Sequence, residues 1–166
     1  MLRTKIILPD GRSITSGTGD VPAIREVKLT KCVNSREELT LGSVCAAMVE
    51  ITVLDPAGEL ALSAGQEIAV SGIDETGAEC PVGIFVAEKP VRASANCVRI
   101  TAYDRVSLLD KDLTEWLAGL EGWPYTLLGL GKMVCEACGV VLVNDEIPNG
   151  ELPVQAFSQV ASAPGV

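Results

Sequence analysis

The sequence predicts an α+β protein that is mainly β: an antiparallel β-barrel with two or three helices inserted near its C-terminal third. Three observations lead there. Short alternating apolar runs recur through the first two thirds of the 166 residues, and a turn signal separates each from the next. The apolar period then changes from two to a helical one at Asp104. Finally, 48% of the residues are hydrophobic and only 21% charged, a composition that packs rather than remains disordered. A chain of this size buries roughly 70% of the surface its unfolded form exposes, so its core needs no staples. Two Trp, two Tyr and two Phe make aromatics scarce, and the core is expected to consist of Val, Ile, Leu and Ala.

Taken in order, residues 2–8 form a first strand that stops at Pro9-Asp10-Gly11-Arg12, where Pro presets φ and Gly permits positive φ. Residues 16–20, Ser-Gly-Thr-Gly-Asp, are a loop. A weak alternation follows over residues 27–33. Val49, Ile51 and Val53 oppose Glu50 and Thr52 in a half-buried strand that ends at Asp55-Pro56-Ala57-Gly58. Ile68 and Val70 alternate into the hairpin turn Asp74-Glu75-Thr76-Gly77. The return strand is expected to bury Val82, Ile84 and Val86, with Pro90 closing it. Val98, Ile100 and Ala102 alternate cleanly against Arg99, Thr101 and Tyr103. Such a run of strands and turns, without intervening helices, is the signature of an antiparallel sandwich or barrel.

Beyond it, Asp104 is placed to cap a helical turn carrying Val106 and Leu109. Leu113, Trp116, Leu117 and Leu120 continue a helical stripe to Gly122-Trp123-Pro124. Thr126 is the expected N-cap of a further helix whose stripe is Leu127, Leu130, Val134 and Cys138, with Gly139 as its left-handed C-terminal residue. A short strand is predicted over residues 140–143. The domain reading is therefore residues 1–150 as one β-barrel domain with a helical segment at 104–138. Residues 151–166 read as a linker, or as the start of a further domain in a chain that continues.

Charge and cysteine usage narrow the chemistry. A net charge of −9 disfavours phosphate backbones and anionic membrane surfaces, so no specific nucleic-acid binding and no membrane partner are expected. No signal peptide is legible behind the N-terminal Met-Leu-Arg-Thr-Lys, and the six cysteines are expected as free thiols. Cys135-Glu136-Ala137-Cys138 has redox spacing. A redox dithiol, however, sets its first thiol at the positive N-terminal end of a helix, whereas this one falls in the last turn beside Glu136. Structural zinc needs four ligands. The chain has no His, and Cys32, Cys45, Cys80 and Cys97 stand singly. A site assembled by three-dimensional convergence is the alternative that metal analysis decides. The preferred reading makes Cys138 a small core residue and Cys135 its neighbour at the edge of the apolar face.

The missing His also removes Ser-His and Cys-His nucleophiles. Asp104, Asp110, Asp112 and Glu115 cluster in sequence, yet a cap and a solvated helix face account for them better than a glycosidase pair does. Gly129-Leu130-Gly131-Lys132 lies inside a helical stripe and lacks the Lys-Ser/Thr ending of a phosphate loop. No catalytic, cofactor-binding or metal-ligating residue is assigned, and no cofactor is implied.

Three stretches together carry a family resemblance: Leu39-Thr40-Leu41-Gly42-Ser43-Val44-Cys45 running on to Val53, Pro81-Val82-Gly83-Ile84-Phe85-Val86-Ala87-Glu88-Lys89-Pro90, and Ile100-Thr101-Ala102-Tyr103-Asp104-Arg105-Val106 leading into Leu108-Leu109-Asp110-Lys111. With the helix from Pro124 to Gly139, their order resembles the tail-tip or baseplate-hub proteins of phages and prophages of Gram-positive bacteria, over residues 27–143. The resemblance implies a barrel akin to a tail-tube subunit and no enzymatic activity. It also implies a homo-oligomer (a trimer in the related hubs) that joins tail-tube proteins to tip or spike proteins in the virion, after synthesis in the bacterial cytoplasm. A phage-associated peptidoglycan hydrolase module using two carboxylates, or a carbohydrate-binding β-module with exposed aromatics, is the alternative. For the latter, Tyr103, Trp116, Trp123 and Tyr125 are the large candidates.

Overall fold

The computed structural model describes residues 3–17, 19, 21–31 and 46–156. Within it the chain divides into two compact units, Met1–Ser107 and Leu108–Val166. Among the described residues, the regular structure of the first unit is β up to the 3-10 turn that begins at Arg105. Its strands are β1 (Arg3–Ile7), β2 (Ser13–Thr15), β3 (Ala23–Thr30), β4 (Met48–Leu54), β5 (Glu67–Ile73), β6 (Glu79–Ala87), β7 (Val91–Ser94) and β8 (Cys97–Asp104). They form one antiparallel sheet in the order β2-β1-β5-β6-β8-β4-β3. The two halves of one edge of β8 take different partners: β6 pairs with its C-terminal half and β7 with its N-terminal half.

The turns form for the reasons their residues supply. Gly11 takes φ +84° and its N–H donates to the Leu8 carbonyl, while Asp10 accepts from the N–H and Nε of Arg12. In the β5–β6 hairpin, Gly77 takes φ +90° and Asp74 Oδ1 accepts from the N–H groups of Thr76 and Ala78 and from the Thr76 hydroxyl. The side chain thus answers backbone donors that the ladder cannot reach.

A single core joins the strands of this unit. Ile6, Leu8 and Ile14 meet Ile24, Val49, Ile51, Val53, Ile68, Val70, Phe85, Ala87, Ile100 and Ala102 in one buried cluster. Branched aliphatics dominate it, as composition predicts, and Phe85 is the aromatic among them. Every strand of the main order contributes to the cluster, whereas the residues of β7, which lies off that order, are exposed. The sheet therefore curls so that one face encloses one core. Its two end strands meet at one parallel bridge, Ser16 to Ile24, beside which Thr4 and Ser16 exchange hydrogen bonds. A single bridge is not a ladder, and no closed barrel is present among the described residues.

The alternations of β4, β5 and β8 fall as expected, with Val49, Ile51, Val53, Ile68, Val70, Val98, Ile100 and Ala102 buried. The β6 expectation needs correction. Phe85 and Ala87 face the core, while Ile84 is 45% exposed. The cause is a β-bulge: Val70 pairs with Gly83 but Ser71 pairs with Pro81, which leaves Val82 as the extra residue. An inserted residue shifts the two-residue period, so Val82 and Phe85 both reach the core side. The alternation over residues 27–33 belongs to a strand that begins earlier, at Ala23. Val33 lies outside the described residues, as do Cys32 and residues 39–45 of the first resembling stretch.

At Asp104 the helical period begins as predicted. Its Oδ1 accepts from the Val106 N–H at 3.1 Å and its carbonyl accepts from the Ser107 hydroxyl, capping a 3-10 turn over Arg105–Leu109. The second unit carries α1 (Thr114–Ala118), β9 (Tyr125–Thr126), α2 (Leu127–Ala137) and β10 (Pro153–Val154). Thr126 is the N-cap of α2, its hydroxyl accepting from the Gly129 N–H. The N–H groups of Leu127 and Leu128 donate to the carbonyls of Leu152 and Gly150, which answers two further donors of the first turn. At the other end Gly139 takes φ +75°. Its N–H donates to the Glu136 carbonyl and that of Val140 to the Cys135 carbonyl, the paired bonds of a Schellman motif.

Residues 140–143 do not form the expected strand. Among the described residues no neighbour offers them a ladder, and Val141 and Val143 are 80% and 83% exposed. The small sheet of this unit pairs β9 with β10 instead. Residues 157–166, the rest of the expected linker, lie outside the described residues.

Candidate functional site

The residues weighed for chemistry occupy structural positions. Cys138 is 2% exposed and terminates α2, and Cys135 is half-buried beside it. Cys80 is exposed on β6 and Cys97 half-buried on β8, and all four are free thiols. Among the described residues no three Cys, Asp or Glu side chains converge as metal ligands; Cys32 and Cys45 lie outside them.

Two of the four weighed carboxylates, Asp104 and Asp112, act as caps. Asp104 Oδ2 also accepts from the Ala47 N–H at 3.0 Å, so one side chain ties the end of β8 to the start of β4 while capping the turn. Asp112 accepts from the Thr114 N–H at the start of α1, and the hydrogen bonds from Thr114 hold its carboxyl below the usual carboxylate range. Hydrogen bonds from Arg12 do the same for Asp10, those from Thr76 and Ala78 for Asp74, and the Arg105 guanidinium for Glu67. Arg105 reaches Glu67 in a two-point contact of 2.8 and 2.9 Å.

Gly129, Gly131 and Lys132 sit within α2, and Lys132 pairs with Asp145 at 3.0 Å. A Cβ on Gly129 would stand 2.9 Å from the Thr126 hydroxyl, so the glycine makes room for the cap, not for a phosphate. The aromatics are half-buried. Trp123 and Tyr125 meet edge to face at 4.9 Å, the indole N–H donates to the Leu120 carbonyl, and the Tyr125 hydroxyl donates to the Glu121 carbonyl.

Sequence reasoning missed a cleft in the β unit. It opens between the loop after β4 and the start of β7, with a volume of about 450 Å³. Leu60, Leu62, Pro90 and Val98 supply apolar wall, while Asp55, Lys89 and Arg92 supply the charged groups. Asp55, where the sequence ends the strand, does more than stop β4. It is 2% exposed, its two carboxyl oxygens accept from the N–H groups of Glu59 and Leu60 at 2.8 and 3.2 Å, and its own N–H donates to the Asn96 carbonyl at 2.7 Å. That one side chain folds the loop back over the sheet. Arg92 donates from Nη1 to the Ala95 carbonyl at 2.6 Å. No spacing in the sequence announces this set, because Asp55 and the pair Lys89 and Arg92 are joined only by the β4–β8–β7 pairing.

Fold and side chains together define a mainly antiparallel β protein with a capped helical segment, in which Asp10, Asp55, Asp74, Asp104 and Asp112 hold turns, loops and helix starts. No family model matches the chain, and no curated protein matches it in sequence.

Proposed function

We propose that the chain is a structural component of a phage or prophage tail, a hub or tip element that joins the tail tube to the tip and catalyses no reaction. The observation that carries this reading is the arrangement of the β unit: one antiparallel sheet curled around one aliphatic core, its end strands touching at Ser16 and Ile24, with a capped helical turn leaving β8 at Asp104. That is the element order the hub resemblance implies. In this reading the curled, unclosed sheet is the counterpart of a tube-subunit barrel, its two ends touching at the single bridge between residues 16 and 24. Copies associate with one another, as a trimer in related hubs, and contact tube and tip or spike proteins. The protein then resides in the virion tail after synthesis in the bacterial cytoplasm.

The test is compositional. Particles purified after prophage induction of cells that carry the gene are digested and analysed by mass spectrometry. The reading requires peptides of this chain at a fixed low ratio to the tube protein. Tailed particles lacking them would end it.

A further inference from the structure

We infer that the cleft beside Asp55 binds a small ligand carrying an oxyanion, a carboxylate or phosphate, on a short apolar body. This site is independent of the tail reading and stands or falls separately from it.

Size is the first argument. About 450 Å³ lies within the range of small-molecule sites, roughly 300–1,000 Å³, and the wall of Leu60, Leu62, Pro90 and Val98 offers the apolar contact such sites use. Charge is the second. The chain as a whole carries −9, yet the cleft is lined by two cations and one acid. Both oxygens of that acid, Asp55, already accept loop N–H groups. Lys89 has no ion-pair partner among the described residues, and Arg92 engages a backbone carbonyl through Nη1. What the cleft has left to offer a ligand is therefore positive charge beside apolar surface, in a protein otherwise acidic. An oxyanion with a hydrocarbon body matches both halves; a cation or a fully apolar molecule matches at most one.

Preorganisation is the third argument. The loop is held at Asp55, the Arg12 guanidinium donates to the Glu59 carbonyl at 3.1 Å, and Gly65 and Ala87 continue the β5–β6 ladder through Gly65 N–H to Ala87 O and Ala87 N–H to Gln66 O, both 2.8 Å. The walls thus need little ordering when a ligand enters. Gly58 takes φ +74°, a left-handed turn conformation that favours glycine, and the Arg92 guanidinium lies beside that turn, its Nη2 3.4 Å from where a Cβ would stand.

The experiment is a ¹⁵N amide NMR titration of the whole chain with hexanoate, hexyl phosphate, hexylamine and inorganic phosphate. Hexanoate or hexyl phosphate should shift amides of residues 58–64 and 89–98 saturably, with a dissociation constant in the millimolar range expected of so small a ligand. Whichever of the two binds more tightly identifies the head group. Lys89→Glu with Arg92→Glu should weaken that binding by at least about tenfold, with amide dispersion kept. Lys89→Gln alone, a milder change at an exposed side chain, should weaken it measurably and covers the case in which the double variant misfolds. Equal shifts with hexylamine would overturn the inference. So would shifts by inorganic phosphate as strong as those by its hexyl ester, wild-type affinity in both variants, or no saturable shift with either oxyanion.

Discussion

Replacing Asp55 with Ala tests the logic of the β unit at its most concentrated point. The side chain is 2% exposed and its two oxygens hold the Glu59 and Leu60 N–H groups at 2.8 and 3.2 Å. Removing it leaves two backbone donors without those acceptors at the root of a loop that lines one wall of the cleft. A hydrogen bond to a carboxylate contributes about 1.5–3 kcal/mol net, and two that share one acceptor group are not additive, so the loss should be about 2–4 kcal/mol. With a urea m-value of roughly 1–3 kcal/mol/M, the unfolding midpoint followed by far-UV circular dichroism should fall by about 1–2 M. Asp55→Asn keeps one accepting oxygen and should lose about half as much. A midpoint shift below about 0.3 M for Asp55→Ala would refute the reasoning, because it would mean that the loop N–H groups find other acceptors at no cost.

Three further outcomes follow from particular residues. Phe85→Ala, at a site 1% exposed in the centre of the core cluster, should cost about 3–5 kcal/mol in the same urea assay, whereas Ile84→Ala, its exposed neighbour, should cost under about 1 kcal/mol. The reverse order would restore the face that simple alternation predicts. Cys138→Ser places a hydroxyl at a site 2% exposed and should cost about 1–3 kcal/mol, while Cys135→Ser should stay within about 0.5 kcal/mol. Equal and large losses, or stoichiometric zinc by metal analysis, would reinstate the Cys-x-x-Cys pair as a site.

The pH dependence has a definite sign. Asp10, Glu67, Asp74 and Asp112 all titrate lower in the folded chain than in the unfolded one. The stability they supply is complete above the ordinary carboxylate range and is lost as pH falls through their folded values. A urea-midpoint profile should therefore decline below about pH 4. The decline should be shallower in Asp74→Asn, which removes one of the four.

Strict alternation made β4 and β8 legible, because one face of each is buried and a register slip would expose the whole row. The β5 strand was legible only at Ile68 and Val70, beyond which Ser71, Gly72 and Ile73 are buried in succession. Caps were equally legible: Asp104, Thr126 and Gly139 do what their residue types are suited for at those positions. The failures have local causes. Val82, Ile84 and Val86 alternate well in sequence, but the bulge at Val82 moves the core face to Phe85 and Ala87, and a bulge depends on the partner strand. Residues 140–143 have strand composition, yet composition supplies no partner. The two-residue strands β9 and β10 are too short to leave a periodic trace. Least legible was the cleft, since nothing in the spacing of Asp55, Lys89 and Arg92 indicates that β8 carries them to one place.

The central claim, that this chain is built into a phage tail as a hub or tip element, is tested most directly by where the protein sits. Antibodies raised against it and coupled to gold are applied to tailed particles released from cells that carry the gene, and the particles are imaged by electron microscopy. The account predicts gold at the end of the tail distal to the head, where the tube meets the tip. Label confined to the unassembled fraction of the lysate, with bare tails beside it, would contradict it.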